Sequence, residues 1–152
     1  MPPLMTSLGE MHPAVHVSLR DLEADESLAA LDLDEIDLAI VDDYDGQPAT
    51  SGLGLDAIEI LRDPLYLASA GGGELGQAVR LREQADAVWI MDSEQSRFHA
   101  AVQRACRAAG IEPRIRSSCR DFAVITALIE AGVGIGVIPG LALHGERRRL
   151  AL

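Results

Sequence analysis

One stretch near the C-terminus decides the fold: Asp121–Leu143, which reads DFAVITALIEAGVGIGVIPGLAL. Phe122, Ile125, Leu128 and Ile129 recur at helical spacing, Asp121 stands where an N-cap belongs, and Gly132 supplies a stop. A short β-branched run follows, Val133–Ile138, interrupted by Gly134 and Gly136 and closed by Pro139–Gly140. The stretch therefore predicts helix, tight turn, buried strand and turn. A continuous apolar strand reached through a helix belongs in a parallel sheet covered on both faces.

The same unit recurs upstream. Arg114–Ser118 predicts the strand leading through Cys119–Asp121 into that helix. Arg97–Gly110 predicts a helix with Phe98, Ala101, Val102 and Ala105 inward and Gly110 as its stop. Ala87–Met91 (AVWIM) predicts the buried strand before it, joined by the polar Asp92–Ser96. Further back, Leu65–Ala70 and Leu55–Leu61 predict strands broken at Asp63–Pro64, with a glycine turn at Gly71–Gly73 and a short connection at Val79–Gln84. Asp42 to Gly54 has the composition of an exposed loop. The N-terminal part predicts a helix over Pro2–Met11 and a strand over Val15–Leu19. An acidic exposed helix over Leu22–Leu33 and a buried strand over Ile36–Val41 (IDLAIV) follow. Arg147–Leu152 predicts a closing strand.

The totals limit what such an α/β chain does. With 152 residues, 48% of them hydrophobic and only 3% aromatic, the core is expected to rest on Leu, Val, Ile and Ala. A net charge of −11 argues against a direct grip on nucleic acid or an anionic membrane, while leaving room for a locally positive cleft that takes a small anion. Met1–Pro13 lacks the basic start and sustained apolar core of a signal peptide, and the apolar stretches are too short to span a bilayer. A cytoplasmic location is expected. Cys106 and Cys119 make no disulfide framework, and no Cys or His stands at metal-ligand spacing, so neither metal nor cofactor is expected.

Two polar stretches carry the candidate chemistry. Asp92–Ser96 precedes the helix beginning near Arg97, and a helix N-terminus offers unpaired N–H groups and partial positive charge to a carboxylate or phosphate. Ser93 and Ser96 add hydroxyls and Arg97 a bidentate donor. The competing reading is that Ser93 or Ser96 merely caps the helix. Ser117–Phe122 ends a strand and begins a helix, where ligands gather in open α/β sheets. Ser118, Cys119, Arg120 and Phe122 bring hydroxyl, thiol, charge and an apolar wall. Here the competing reading is capping by Ser118 or Asp121, with Phe122 in the core, and for Phe122 the core is favoured.

Other motifs carry less. The string DDYDG lacks the ligand spacing of a calcium loop and reads as a solvated turn. Gly132–Gly136 (GVGIG) follows a helix, the reverse of a dinucleotide fingerprint, so nucleotide binding is rejected. Cys106 reads as buried packing, while Cys119 is a weak candidate for a reactive thiol. His12, His16, His99 and His144 are scattered, and neither a nucleophile elbow nor paired carboxylates occur, so an enzyme is not expected.

Three pieces in order carry a resemblance: HPAVHVSLRD followed by DLAIV, then VWIMDSEQSRFHAAVQRACRAAGIEPRI, then DFAVITALIEAGVGIGVIPGLAL. Together they resemble the effector-binding domain of LysR-type bacterial transcription regulators over nearly the whole chain. The resemblance implies an α/β fold of the type-2 periplasmic-binding-protein kind, two Rossmann-like lobes with a small effector in the cleft between them. Lobe I would be roughly 1–63 plus 144–152 and lobe II roughly 64–143. The DNA-binding helix-turn-helix, its linker helix and the first strand of lobe I are missing from this pattern, as in an N-terminally truncated domain. The resemblance puts Asp92–Ser96 at the cleft mouth and the residues after IDLAIV, beginning with Asp42, on the wall of lobe I. In the peroxide-sensing branch a cysteine occupies the position of Ser96, so thiolate sensing by that route is not expected here.

The function so implied is binding rather than catalysis. A small effector between the lobes biases their arrangement, and a homo-oligomer of effector domains relays that bias to DNA-binding domains outside this sequence. The apolar faces near Leu4–Leu8 and Leu22–Leu31 are candidates for the contact between copies. The alternative is a free-standing solute-binding protein of the same fold. Asp42 pulls toward cationic or neutral ligands, whereas Arg97, Arg120 and the helix N-termini pull toward anions. The balance leans to a small carboxylate.

Overall fold

The computed structural model describes residues 2–44, 50, 53–71, 80–143 and 150–151. Some sequence readings lie outside these residues: Gly72 and Gly73 of the glycine turn, Val79, Asp45 and Gly46 of the acidic string, and residues 147–149 and 152 of the closing strand. The chain forms two compact units, Met1–Asp42 and Asp43–Leu152.

In the N-terminal unit, α1 spans Pro2–Met11, its prolines standing at the start, where the helix has no N–H to lose. Helix α2 spans Ala24–Asp32 and opens with the Glu23 N–H donating to the Glu26 carboxylate at 3.1 Å. Asp25 and Glu26 in its first turn suit the positive end of the helix dipole. It buries Ser27, Leu28 and Ala30 and stops where Asp34 turns to φ 57°, a left-handed cap made by Asp rather than Gly. The strands expected at Val15–Leu19 and Ile36–Val41 do not form. Val15, Val17, Leu19, Leu38 and Ile40 are exposed, and among the described residues neither segment has a ladder partner. Alternating apolar residues make a strand only when a neighbour supplies the other half of the hydrogen bonds.

The second unit follows the sequence reading closely. Strands β1 (Leu65–Ala70), β2 (Val88–Met91), β3 (Arg114–Ser118), β4 (Gly136–Pro139) and β5 (Leu150–Ala151) accompany helices α3 (Arg97–Ala108) and α4 (Phe122–Glu130). Ser96 caps α3 by accepting from the His99 N–H, and Asp121 caps α4 by accepting from the Ala123 N–H. Both helices end ahead of a glycine with positive φ, Gly110 at 78° and Gly132 at 73°. The strand expected at Leu55–Leu61 is absent: the segment is irregular, with Ile58, Ile60 and Leu61 exposed.

The sheet is mixed rather than all parallel. β2 and β3 run parallel, Val88 opposite Arg114 and Met91 opposite Ser118. On the other side of β2, Ile135 enters a parallel bridge with Trp89, donating to Val88 O at 2.8 Å and accepting from Ile90 N at 2.7 Å. β1 is antiparallel to β4, pairing Leu65 with Pro139, and to β5, pairing Ala70 with Leu150. The spatial order is thus β3-β2-β4-β1-β5. β2–α3–β3 and β3–α4–β4 are strand–helix–strand units, which return the chain parallel. Between β1 and β2 the described residues include a 3-10 turn, Leu81–Gln84. The tail residues Leu150–Ala151, expected with lobe I, pair with β1 of this unit because its outer edge is open to them.

Side chains of β2 alternate between two cores. Ile90 packs with Ala68, Ile125, Ile129, Ile138 and Leu143 on the α4 face. Trp89 and Met91 pack with Phe98, Val102, Cys106 and Ile111 on the α3 face. That second core departs from the aliphatic expectation, since the sole Trp and one of the two Phe residues are concentrated in it. Gly134 and Gly136 are required by the approach of β4 to β2: a Cβ there would lie 2.5 Å from Val88 O and 2.6 Å from Ile90 O. Asp63 closes the unit's far end, both carboxylate oxygens accepting from Leu141 N at 3.0–3.1 Å.

Gly136→Ala is expected to lower the stability of this unit by about 3 kcal/mol, because backbone cannot yield as a side chain does. Urea unfolding followed by Trp89 fluorescence reads this, and an unchanged midpoint would contradict the close approach. Burial, helped by the Glu112 carboxylate, pushes the Cys106 thiol up from its ordinary range. Alkylation at pH 8 is therefore expected to reach the half-buried Cys119 more than about tenfold faster than Cys106. The folded thiol keeps its proton where the unfolded thiol loses it. Its contribution therefore erodes stability only as pH rises past about 9, with no effect below.

Candidate functional site

The candidate site grows out of β2, the strand between β3 and β4. From β2 the chain leaves for α3, which covers one face of the sheet, and from the adjacent β3 it leaves for α4, which covers the other. Neighbouring parallel strands whose connections part in this way open a crevice at their carboxyl ends. Here those ends are Met91–Ser96 and Ser118–Phe122.

A single carbonyl ties the two ends together. Asp92 O accepts from Ser118 Oγ at 2.7 Å and from His99 Nδ1 at 2.8 Å, while Cys119 N donates to Met91 O at 3.0 Å. The loop also closes on itself. Ser93 N donates to Asp92 Oδ1 at 2.7 Å, Ser93 Oγ to Gln95 Oε1 at 3.2 Å, and Ser96 N to Ser93 O at 2.9 Å. Ser96 Oγ accepts from His99 N at 2.9 Å. Phe98 and Phe122 meet edge to face with centroids 5.3 Å apart, and Tyr44 meets Phe98 at 5.8 Å.

Every sequence candidate except Asp42 is brought to these two ends. Ser93 is half-buried in the loop. Ser96 is buried and caps α3, although the hydroxyl proton itself is not spent on that bond. Arg97 is the first residue of α3 and half-buried, and Arg120 is exposed between β3 and α4. Ser118 directs its hydroxyl to Asp92, so α4 is capped by Asp121 instead. Cys119 packs against the α4-side core, and Phe122 touches both cores, as the favoured core reading required. Asp42 is the last residue of the N-terminal unit. Sequence reading missed His99, which is only 4% exposed. Its signal was positional: it stands three residues beyond the Ser96 cap, on the turn of α3 nearest the loop.

The chemistry available here is recognition. Two capped helix N-termini and the Arg97 and Arg120 guanidinium groups stand beside hydroxyls and backbone donors, groups that suit an oxyanion, together with the Asp92 and Asp121 carboxylates. His99 Nδ1 is engaged with a main-chain carbonyl, not with a nucleophile. Among the described residues, no group of three or more His, Cys, Asp or Glu is placed to hold a metal ion. No described helix is long and apolar enough to cross a membrane.

The chain is similar to known regulators. It is 26% identical over 115 residues to a malonate utilization transcriptional regulator of Klebsiella pneumoniae, covering 74% of this chain and 37% of that protein. Among solved structures, the C-terminal domain of a probable LysR family transcriptional regulator from Rhodococcus sp. RHA1 superposes with a TM-score of 0.76 at 20% identity. That match covers 91% of this chain and 66% of the other. The effector binding domain of QuiR in complex with shikimate gives 0.75 at 16% identity, over 99% of this chain and 72% of that one. These likenesses establish the fold as periplasmic-binding-protein-like. The family model for the LysR substrate binding domain matches residues 1–152, and the chain belongs to that family.

Proposed function

We propose that this chain is the effector-sensing part of a cytoplasmic transcription regulator, and that a small carboxylate is held at the carboxyl ends of β2 and β3. The observation that carries this reading is the meeting of the two connections on Asp92, with Arg97, Arg120 and two helix N-termini around it. The relatives support the ligand class, one being named for malonate utilization and another solved with shikimate. Lobe I would comprise roughly 1–63, Asp42 included, plus 144–152, and lobe II roughly 64–143. Ser93, Ser96 and Arg97 would meet the effector from the α3 side, and Cys119, Arg120 and Phe122 from the α4 side. Ser118 would act on the loop through Asp92.

Such a domain works by differential affinity. An effector shifts the balance between lobe arrangements only as far as it prefers one of them. Copies of the domain, paired head-to-tail and side by side, would pass that shift to DNA-binding domains carried elsewhere in the protein. A ligand that shifts nothing would occupy the site silently.

Thermal unfolding against malonate, shikimate and matched amines tests the reading. A ligand specific to the folded state adds about 2.7 kcal/mol at a hundredfold excess over its dissociation constant. One of the carboxylates is expected to raise the midpoint, and Arg120→Ala and Arg97→Ala are expected to reduce that rise. Ser96→Ala is a poorer probe, since losing the α3 cap alone costs about 1 kcal/mol. A rise with amines and not with carboxylates would contradict the proposed ligand class.

A further inference from the structure

His99 is buried to within 4% of its surface, yet no ligand-facing or packing role explains its polarity. Its backbone and its ring do different things. The His99 N–H satisfies the Ser96 cap at 2.9 Å, a bond any residue at this position would make. The imidazole reaches back seven residues and meets Asp92 O at 2.8 Å. A carbonyl oxygen only accepts, so Nδ1 must carry the proton, whichever state Nε2 is in. The same oxygen takes the Ser118 hydroxyl at 2.7 Å, which fills both of its lone pairs. Asp92 in turn holds Ser93 N through Oδ1, and Ser93 O holds Ser96 N. Each bond therefore fixes the next along the loop, from the end of β2 to the cap of α3.

We infer that His99 is a positioning residue: its Nδ1–H, together with the Ser118 hydroxyl, locks the Asp92 carbonyl and so holds the loop 92–96 in its ligand-ready shape before any effector arrives. A loop fixed beforehand is not ordered at the expense of binding, and its affinity is higher for that reason. Only the consequence for affinity rests on the proposed ligand site. The state of the loop does not.

The test separates the ring bond from the cap. Asn places an amide donor where Nδ1 stands, Gln places one where Nε2 stands, and all variants keep the backbone cap. In the ligand-free chain, long-range ¹H–¹⁵N spectra of the His99 ring are expected to show a protonated Nδ1. The Ser96 amide is expected to exchange about tenfold faster in His99→Gln than in the native chain, the worth of one hydrogen bond, with His99→Asn restoring protection. The Val102 amide inside α3 reports on the helix and is expected to be unmoved throughout. Malonate is the binding probe, and its dissociation constant is expected to rise in His99→Gln and recover in His99→Asn. A ring protonated at Nε2 alone would overturn the inference, as would equal Ser96 exchange in the Gln and Asn variants. If malonate fails to bind the native chain, malonate falls as the effector while the ring and exchange measurements still decide the role of His99.

Discussion

Two backbone hydrogen bonds hold the second unit in its architecture: Ile135 N to Val88 O and Ile90 N to Ile135 O. They attach β4 to the side of β2 that β3 leaves open, which makes β2 an interior strand. Everything else in the unit depends on that attachment. With β3 on one side and β4 on the other, the two helical connections leave in opposite directions, and α3 and α4 cover opposite faces. The constraint is steric as well as polar. Gly134 and Gly136 lie so close to β2 that no side chain fits, and this explains two glycines inside a buried strand.

Strand β2 links packing to the proposed site. Trp89 and Met91 anchor α3 and Ile90 anchors α4, so both helices are fixed against the same short segment. Their N-terminal ends are consequently fixed at its carboxyl end. Phe98 and Phe122, each in the first turn of its helix, meet edge to face and tie the two starts together. Polar groups above them are satisfied largely by one another, through Asp92, Ser93, Ser96, His99 and Ser118. A polar network bonded within itself favours one geometry, and a recognition site needs one geometry.

Much of this unit was legible in the sequence because its signals are local. Asp121 and Ser96 as caps, Gly110 and Gly132 as stops, and the runs AVWIM and RIRSS all act within a few residues. Local chemistry decided them, and the candidate site followed, since it lies where those elements begin and end. The failures share a different cause. Val15–Leu19, Ile36–Val41 and Leu55–Leu61 have the composition of strands, but a strand is a relation between two segments, and periodicity describes only one. The direction of β1 was hidden for the same reason. His99 went unnoticed because its partner is a main-chain carbonyl, which leaves no mark on the sequence.

The proposed site lies at the carboxyl ends of β2 and β3. The most direct measurement is a titration of the ¹⁵N-labelled chain with malonate and shikimate, followed residue by residue in ¹H–¹⁵N correlation spectra. Saturable shifts concentrated at Ser93–His99 and Ser118–Phe122 are the predicted result. Saturable shifts that spare both stretches would contradict a site at the carboxyl ends of these strands.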